Sequence, residues 1–396
     1  MRLPFSYQSC LEARKLSNGE GMKIEPRLKE WIKGETAKRK DWPLEQIKYE
    51  SELGQALAHR TFQLHGVEFV KDRQEVLIAD EPGLGKTLQS MAAVIESGIT
   101  GSILVVAPKT AAYVTWPQEL SRWLPDVAPY DEWVIFGGKL SKLERIRALK
   151  RILLWDLGKG RTGPRQWVIV SPNYLRFKVK TDMYDNYVYD DDGNKIIKPI
   201  REAMPAFLSI PWGAIIVDEA HQTLAGATGN IKKQSAQRQG LGLLEVADNG
   251  LRIAMSGTPF RGKHENLWGI LNWLKPKDYT SYWSWVDNNF NMYVDPMTNA
   301  RIVGEVRNEE RFAKTLEPLM IRRTKQEVAP ELPRKLYGGT PLLLRGGQHG
   351  PTAVWLEMFG TQKKAYEQMV QSAMAELEGG TLMANGVLAE MIRLKQ

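Results

Sequence analysis

The run Val76 to Gln89, VLIADEPGLGKTLQ, constrains this chain more than any other stretch. Val76 to Ala79 is a short apolar segment of the kind that forms a parallel strand buried on both faces. It breaks into a glycine-rich turn and restarts as a helical pattern at Thr87. Gly83 and Gly85 let the backbone curl so that successive N–H groups point into one concavity, which suits a phosphate. A helix opening beside that concavity turns the positive end of its dipole toward the anion. The bland alternative is a turn that merely joins a strand to a helix.

The match to the P-loop pattern is incomplete, because the pattern's first glycine falls on Asp80, but the core GLGKT sits between a strand and a helix. Lys86 is expected to supply a point charge for the β and γ phosphates and Thr87 a hydroxyl for Mg²⁺. Pro82, Gly83, Leu84, Gly85 and Leu88 complete the nucleotide-binding run. ATP and Mg²⁺ are the expected cofactors. Upstream, Leu57 to Val70 has apolar residues at helical spacing and an exposed-looking Gln63. An amide pairs with both the N6 donor and the N7 acceptor of adenine, which makes Gln63 a candidate adenine sensor.

Strand candidates recur downstream at Ser102 to Ala107, Trp133 to Phe136, Trp167 to Val170, Ala214 to Val217 and Leu251 to Met255. Helical patterns at Trp116 to Trp123, Leu140 to Leu154 and Glu265 to Leu274 separate some of them. This alternation predicts an α/β fold, a parallel sheet flanked by helices with functional loops at the strands' carboxyl ends. In the second of those helices Leu140, Leu143, Ile146, Leu149 and Leu153 are expected to face the core, leaving a basic face either solvated or against DNA. Residues 1–55 read as an accessory segment with helices near Pro26 to Lys33 and Leu44 to Leu57. Its run Lys38, Arg39, Lys40 is either a solvated face or a phosphate contact. Residues 178–200 interrupt the rhythm, and an Asp-Gly step between two β-prone runs predicts an inserted hairpin.

Ala214 to Val217 leads directly into Asp218, Glu219, Ala220 and His221. Two adjacent carboxylates at a strand's end are costly unless a cation or a reaction needs them. Asp218 can hold Mg²⁺, directly or through water, and Glu219 can orient and deprotonate the water that attacks the γ-phosphate. Ser256, Gly257, Thr258 and Pro259 follow the next strand. Hydroxyls there can sense loss of the γ-phosphate; an ST-turn ahead of a proline is the alternative.

The chain carries 54 Lys and Arg against 46 Asp and Glu, a formal charge of +8 that favours a polyanionic partner. One cysteine, Cys10, and five histidines without CxxC or HExxH spacing leave no disulfide framework and no structural metal site. No apolar run approaches the ~20 residues that span a bilayer. A soluble, cytoplasmic protein without a membrane partner is expected, or a nuclear one in a eukaryote.

GLGKT, DEAH and SGTP together resemble helicase superfamily two. Ile103 to Trp123, ILVVAPKTAAYVTWPQELSRW, resembles the Swi/Snf-type double-stranded DNA translocases, which share the APK segment and the spacing of Trp116, Glu119 and Trp123. Leu316 to Lys335 resembles that family's bridge out of the first RecA-like lobe. The resemblance covers residues 55–396. It implies a RecA-like P-loop NTPase lobe over 56–278, a helical protrusion and bridge over 279–345, and the start of a second lobe over 346–396. It also implies ATP-driven tracking along duplex DNA, with Gln63 on adenine and Lys86, Asp218 and Glu219 as the catalytic set. Thr87 and Asp218 would hold Mg²⁺, Ser256 to Pro259 would form the coupling loop, and Lys109, Thr110 and Ser171 would face the DNA backbone.

Three departures accompany the resemblance. Pro82 stands where the family usually has Met, and the loop after His221 lacks the usual basic-Asn signature and is lengthened. No segment resembles the QxxGRxxR-like motif whose arginines reach the ATP site, so the second lobe is expected in trans or lost by truncation. The compact first lobe resembles bacterial or bacteriophage versions. Two rival readings remain: a nucleotide-dependent DNA-binding scaffold with negligible turnover, and an RNA helicase.

Overall fold

The structure, a computed structural model, describes residues 34, 40–137, 140–159, 164–179, 188–189, 197–199, 204–224, 234–260, 263–328, 340–343, 349–353, 360–372, 374–377 and 380–383. The chain separates into two units, residues 1–330 and 331–396.

The first unit is built on seven parallel strands: β1 (Glu75–Ile78), β2 (Ser102–Val106), β3 (Glu132–Phe136), β4 (Gln166–Val170), β7 (Trp212–Val217), β8 (Val246–Met255) and β11 (Met320–Ile321). Their order across the sheet is β11-β1-β8-β7-β2-β4-β3. The central strands are apolar runs because both faces are covered. Along β1, Val76 and Ile78 enter one core and Leu77 the other; Ile103 and Val105 are likewise separated from Leu104 and Val106 on β2. Helices α1 (Glu52–His59), α2 (Thr61–Lys71), α3 (Lys86–Glu96) and α4 (Trp116–Val127) contribute to the first core, and α5 (Lys142–Lys159) to the second. This is the α/β arrangement, a parallel sheet flanked by helices, expected from the alternation.

Several elements differ from the sequence reading. The helix expected over Leu44 to Leu57 begins only at Glu52, capped by the Ser51 side chain, and the expected Leu57 to Val70 helix is broken at Arg60. The segment ahead of α1 is also part of the lobe: its Leu44 and Ile47 join Leu53 and Leu57 of α1 in the core. Its anchor is Glu96 at the end of α3, whose carboxylate accepts from the backbone N–H groups of Glu45, Gln46 and Ile47 at 2.7, 3.0 and 3.1 Å and from Lys71 Nζ at 3.3 Å. Leaving buried donors unsatisfied costs about 1–3 kcal/mol each. Glu96→Ala is therefore expected to cost about 2–4 kcal/mol of stability, seen as a lower urea midpoint at unchanged slope in equilibrium denaturation.

The expected buried face of α5 holds only toward its carboxyl half. Leu143 and Ile146 are exposed, whereas Ala148, Leu149, Ile152 and Leu153 pack on the core. The helices near Pro26 to Lys33 and the Lys38 to Arg39 pair lie outside the described residues, as does the Asp-Gly turn of the 178–200 segment. β5 (Phe177–Val179) and β6 (Ile197–Pro199) flank that turn and pair antiparallel.

Residues 279–328 are mixed rather than helical throughout. A helix at Tyr282–Asn289 leads into an antiparallel hairpin, β9 (Phe290–Val294) with β10 (Arg301–Val306), and then a helix at Glu309–Leu316. The chain then returns to the lobe: Met320–Ile321 is an edge strand beside β1, with Leu77↔Met320 and Ile78↔Ile321 in register. In the second unit, β12 (Thr340–Leu343) pairs with β13 (His349–Ala353), and a helix at Gly360–Ser372 precedes the hairpin of β14 (Met374–Leu377) and β15 (Gly380–Met383).

Candidate nucleotide site

The five predicted motif loops of the first unit, after β1, β2, β4, β7 and β8, leave the sheet at the carboxyl ends of its strands, where an open parallel sheet places its ligand crevice. The loop after β1 turns through Gly83 at φ 88° and Gly85 at φ 74°, values that favour glycine. Gly85 has a second reason to lack a side chain, because a Cβ there would lie 2.2 Å from Gln63 Nε2. Gly85 caps α3, whose first residue is Lys86, so the free N–H groups of the helix's first turn border the loop.

Lys86 Nζ donates to the carbonyls of Asp80 and Glu81 at 2.8 and 3.2 Å, which holds the ammonium over the loop. Burial lowers its pKa below that of a free lysine, opposed by the charges of Glu219, Asp80 and Asp218. A phosphate placed in the loop would supply the anion that this buried cation lacks.

Gln63 is not exposed as the helical spacing suggested. It is 1% exposed because α2 packs directly against α3 and the loop. Its Nε2 donates to the Leu84 carbonyl at 3.1 Å, while its buried Oε1 has no partner among the described residues. That orphaned acceptor fits the N6 donor of an adenine. Asp80, in place of the first glycine, is fully buried and serves the bridge segment: its carboxylate accepts from Arg323 N and Nε at 3.0 Å each and from Nη2 at 2.5 Å. Gln89 joins the cluster through its Nε2 on Asp80 Oδ2 and its Oε1 on Arg323 Nη2, and Arg323 Nη1 also reaches the Phe62 carbonyl.

β7 delivers the two carboxylates. Asp218 Oδ1 accepts from Glu219 N at 2.9 Å and Oδ2 from the Trp116 indole Nε1 at 3.1 Å. Burial raises the Asp218 pKa above the usual carboxylate value, with the Trp116 hydrogen bond opposing it. Glu219 has φ 45°, a conformation that costs a non-glycine residue energy and is found where the surroundings impose it. Its side chain remains 39% exposed and thus accessible to a water. His221 links this loop to the next one, with Nδ1 2.8 Å from Ser256 Oγ and 3.3 Å from Glu219 Oε2.

The Ser256 to Pro259 loop is physically joined to both partners. Ser256 N donates to the Ile78 carbonyl at 3.0 Å, and Thr258 N donates to Ser256 Oγ at 3.1 Å. Gly257 lies against the Pro82 ring, which a Cβ would approach to 2.8 Å. Thus Lys86, Asp218, Glu219 and Ser256 converge, whereas the three residues expected to face DNA differ in exposure. Lys109 and Thr110 are exposed at the start of a helical run after β2; Ser171, after β4, is only 5% exposed. Thr87 and Leu88 occupy the first turn of α3. The Thr87 hydroxyl and the Asp218 carboxylate are each oxygen donors of the type Mg²⁺ takes. Among the described residues no group of three or more His, Cys, Asp or Glu could hold a metal ion, and no helix is long and apolar enough to cross a membrane.

The Trp116–Asp218 contact, the Arg323 clamp and the Glu96 anchor were missed by sequence reasoning. Each joins residues far apart in the chain, 102 and 243 positions for the first two, and no local spacing encodes them.

Comparisons with known proteins agree with the motifs. The chain is 24% identical over 367 residues to chromodomain-helicase-DNA-binding protein 8 of Xenopus tropicalis, a match covering 90% of this chain and 14% of that protein. It is 26% identical over 336 residues to probable ATP-dependent DNA helicase CHR12 of Arabidopsis thaliana, covering 81% of this chain and 24% of that one. The chain therefore spans a quarter or less of the length of these relatives. Among solved structures, the SWI2/SNF2 ATPase core of Sulfolobus solfataricus in complex with dsDNA matches at TM-score 0.44 and 21% identity, over 67% of this chain and 44% of that one. The SNF2-related domain model matches residues 62–396, most of the sequence, and the chain belongs to the SNF2-related domain family of helicase superfamily two.

Proposed function

We propose that this chain contains the ATP-binding lobe of a Swi/Snf-type translocase, coupling ATP hydrolysis to movement on duplex DNA together with a second RecA-like lobe that carries the arginine motif. The observation that carries the reading is the convergence of Lys86, Asp218, Glu219 and Ser256 around one loop, joined by His221. Lys86 and the N–H groups of the first turn of α3 bind and orient the phosphates, and Gln63 Oε1 recognises the adenine amino group. Thr87 and Asp218 hold Mg²⁺, which neutralises charge on the phosphates when bound. Glu219 takes the proton of the attacking water, and Ser256 and Thr258 respond to loss of the γ-phosphate. Lys109 and Thr110 present a cation and a hydroxyl to the DNA backbone.

An arginine finger contributes about 10³–10⁵ to turnover in phosphoryl transfer. Steady-state ATP hydrolysis by the chain with duplex DNA is accordingly expected to stay near background and to rise when a second RecA-like lobe carrying the arginine motif is added. Strong DNA stimulation of the chain alone would sink the requirement for that lobe. Stimulation by duplex RNA but not by duplex DNA would replace the translocase with an RNA helicase.

A further inference from the structure

Trp116, Glu119 and Trp123 identify the family by their spacing, yet the proposed reaction assigns none of them a task. The structure separates their roles. Trp123 Nε1 donates to Glu119 at 2.8 Å within the same helix, a local contact. Trp116 is fully buried and spends its only polar atom on Asp218 Oδ2, 102 residues away.

With Glu219 N on Oδ1, each Asp218 oxygen has one fixed donor, and the carboxylate plane is set. Such outer partners of a metal-holding carboxylate are commonly worth 10–100-fold in metal affinity or activity. The backbone leading to Trp116 is also irregular. After β2 the chain becomes helical at Lys109, passes through a π-helical turn at Ala111–Thr115, and enters α4 at Trp116, whose N–H donates to the Ala111 carbonyl. A π-helical turn carries an extra residue per turn and is found mostly at functional sites. Here it brings the exposed Lys109 and Thr110 and the buried Trp116 onto one short helical run, about 10 Å long at the usual helical rise.

We infer that Trp116 is a positioning residue for the Asp218 carboxylate, and that it ties this carboxylate to the Lys109–Thr110 loop. The inference rests on the reading of the loop as a duplex-facing surface and of Asp218 as a Mg²⁺ holder. A load on Lys109 and Thr110 moves the π-helical turn, and the indole N–H carries that movement to Asp218. The polymer and the cation are thereby coupled through one side chain.

The test is equilibrium binding of a fluorescent ATP analogue to the full chain, titrated with Mg²⁺ in the presence and absence of a short DNA duplex. Trp116→Phe keeps an aromatic ring and removes the donor. It should retain Mg²⁺-free nucleotide binding, raise the Mg²⁺ half-saturation by about 10-fold or more, and lose the shift that duplex causes in the wild type. Site-specific replacement of Trp116 by 3-benzothienyl-alanine, an indole isostere without the N–H, should reproduce these effects if the phenylalanine variant does not fold. An unchanged Mg²⁺ half-saturation in the variant overturns the positioning role, and so does equal weakening with and without Mg²⁺. A wild-type response to Mg²⁺ that duplex does not alter overturns the tie to the loop. A wild-type chain that binds nucleotide independently of Mg²⁺ overturns the reading of the site itself, and is distinguished by failing before any variant is compared.

Discussion

In the presence of duplex DNA and a second RecA-like lobe carrying the arginine motif, Glu219→Gln is expected to lower hydrolysis of ATP by about 10²–10⁴-fold, the usual contribution of a positioned general base, with nucleotide affinity essentially unchanged. Among the described residues the Glu219 side chain has its contact with His221 rather than with the phosphate loop, and it is the more exposed of the two carboxylates at the end of β7. Glutamine keeps its size and the contact to His221 Nδ1, but it cannot accept the water's proton. The measurement is single-turnover hydrolysis with protein in excess over nucleotide, which reads slow turnover directly, beside equilibrium binding. Equal rates for the variant and the wild type would remove Glu219 from the reaction. Weakened binding at an unchanged rate would recast it as a ligand of the nucleotide.

The second large effect concerns stability. Arg323→Ala leaves the fully buried Asp80 carboxylate without its main partner, and breaking a buried ion pair on one side costs about 3–5 kcal/mol. The loss extends beyond that pair, since Arg323 also binds Gln89 and the Phe62 carbonyl and lies over the Phe62 ring. Removing both charges, with Asp80→Asn and Arg323→Met together, should recover most of the loss, because the cost lies in the uncompensated charge. Urea denaturation of the three chains checks this. A single variant as stable as the wild type would show that Asp80 tolerates burial alone.

The position of Asp80 explains why the phosphate-loop pattern is imperfect at its first glycine. The carboxylate faces away from the loop's concavity, into Arg323 and Gln89, so the bridge segment and the nucleotide loop share one buried polar cluster. This could not be read locally, since Arg323 lies 243 residues downstream. The two-residue strand that carries the chain back beside β1 escaped for the same reason. Its apolar run is too short for periodicity to register, and pairing with β1 creates it.

Legibility followed the range of the forces involved. The central strands were visible because each is a continuous apolar run covered on both faces. The loops at their ends were visible because glycine conformation and adjacent carboxylates are local requirements. Gln63 was located but placed on the wrong side of its helix: the packing of α2 against α3, rather than polarity, decides its burial. The α5 face was misjudged because Leu143 and Ile146 continue the apolar pattern into solvent, beyond the part of the helix that the sheet covers.

The central claim is that the loop from Asp80 to Thr87 holds the phosphates of ATP. Equilibrium binding of Mg·ATP to the full chain, compared with Lys86→Ala, tests it most directly. A hydrogen bond to a charged group contributes about 1.5–3 kcal/mol, so the variant should bind roughly 10-fold to 100-fold more weakly. Equal affinity for the two chains, or no binding by the wild type, would contradict the account.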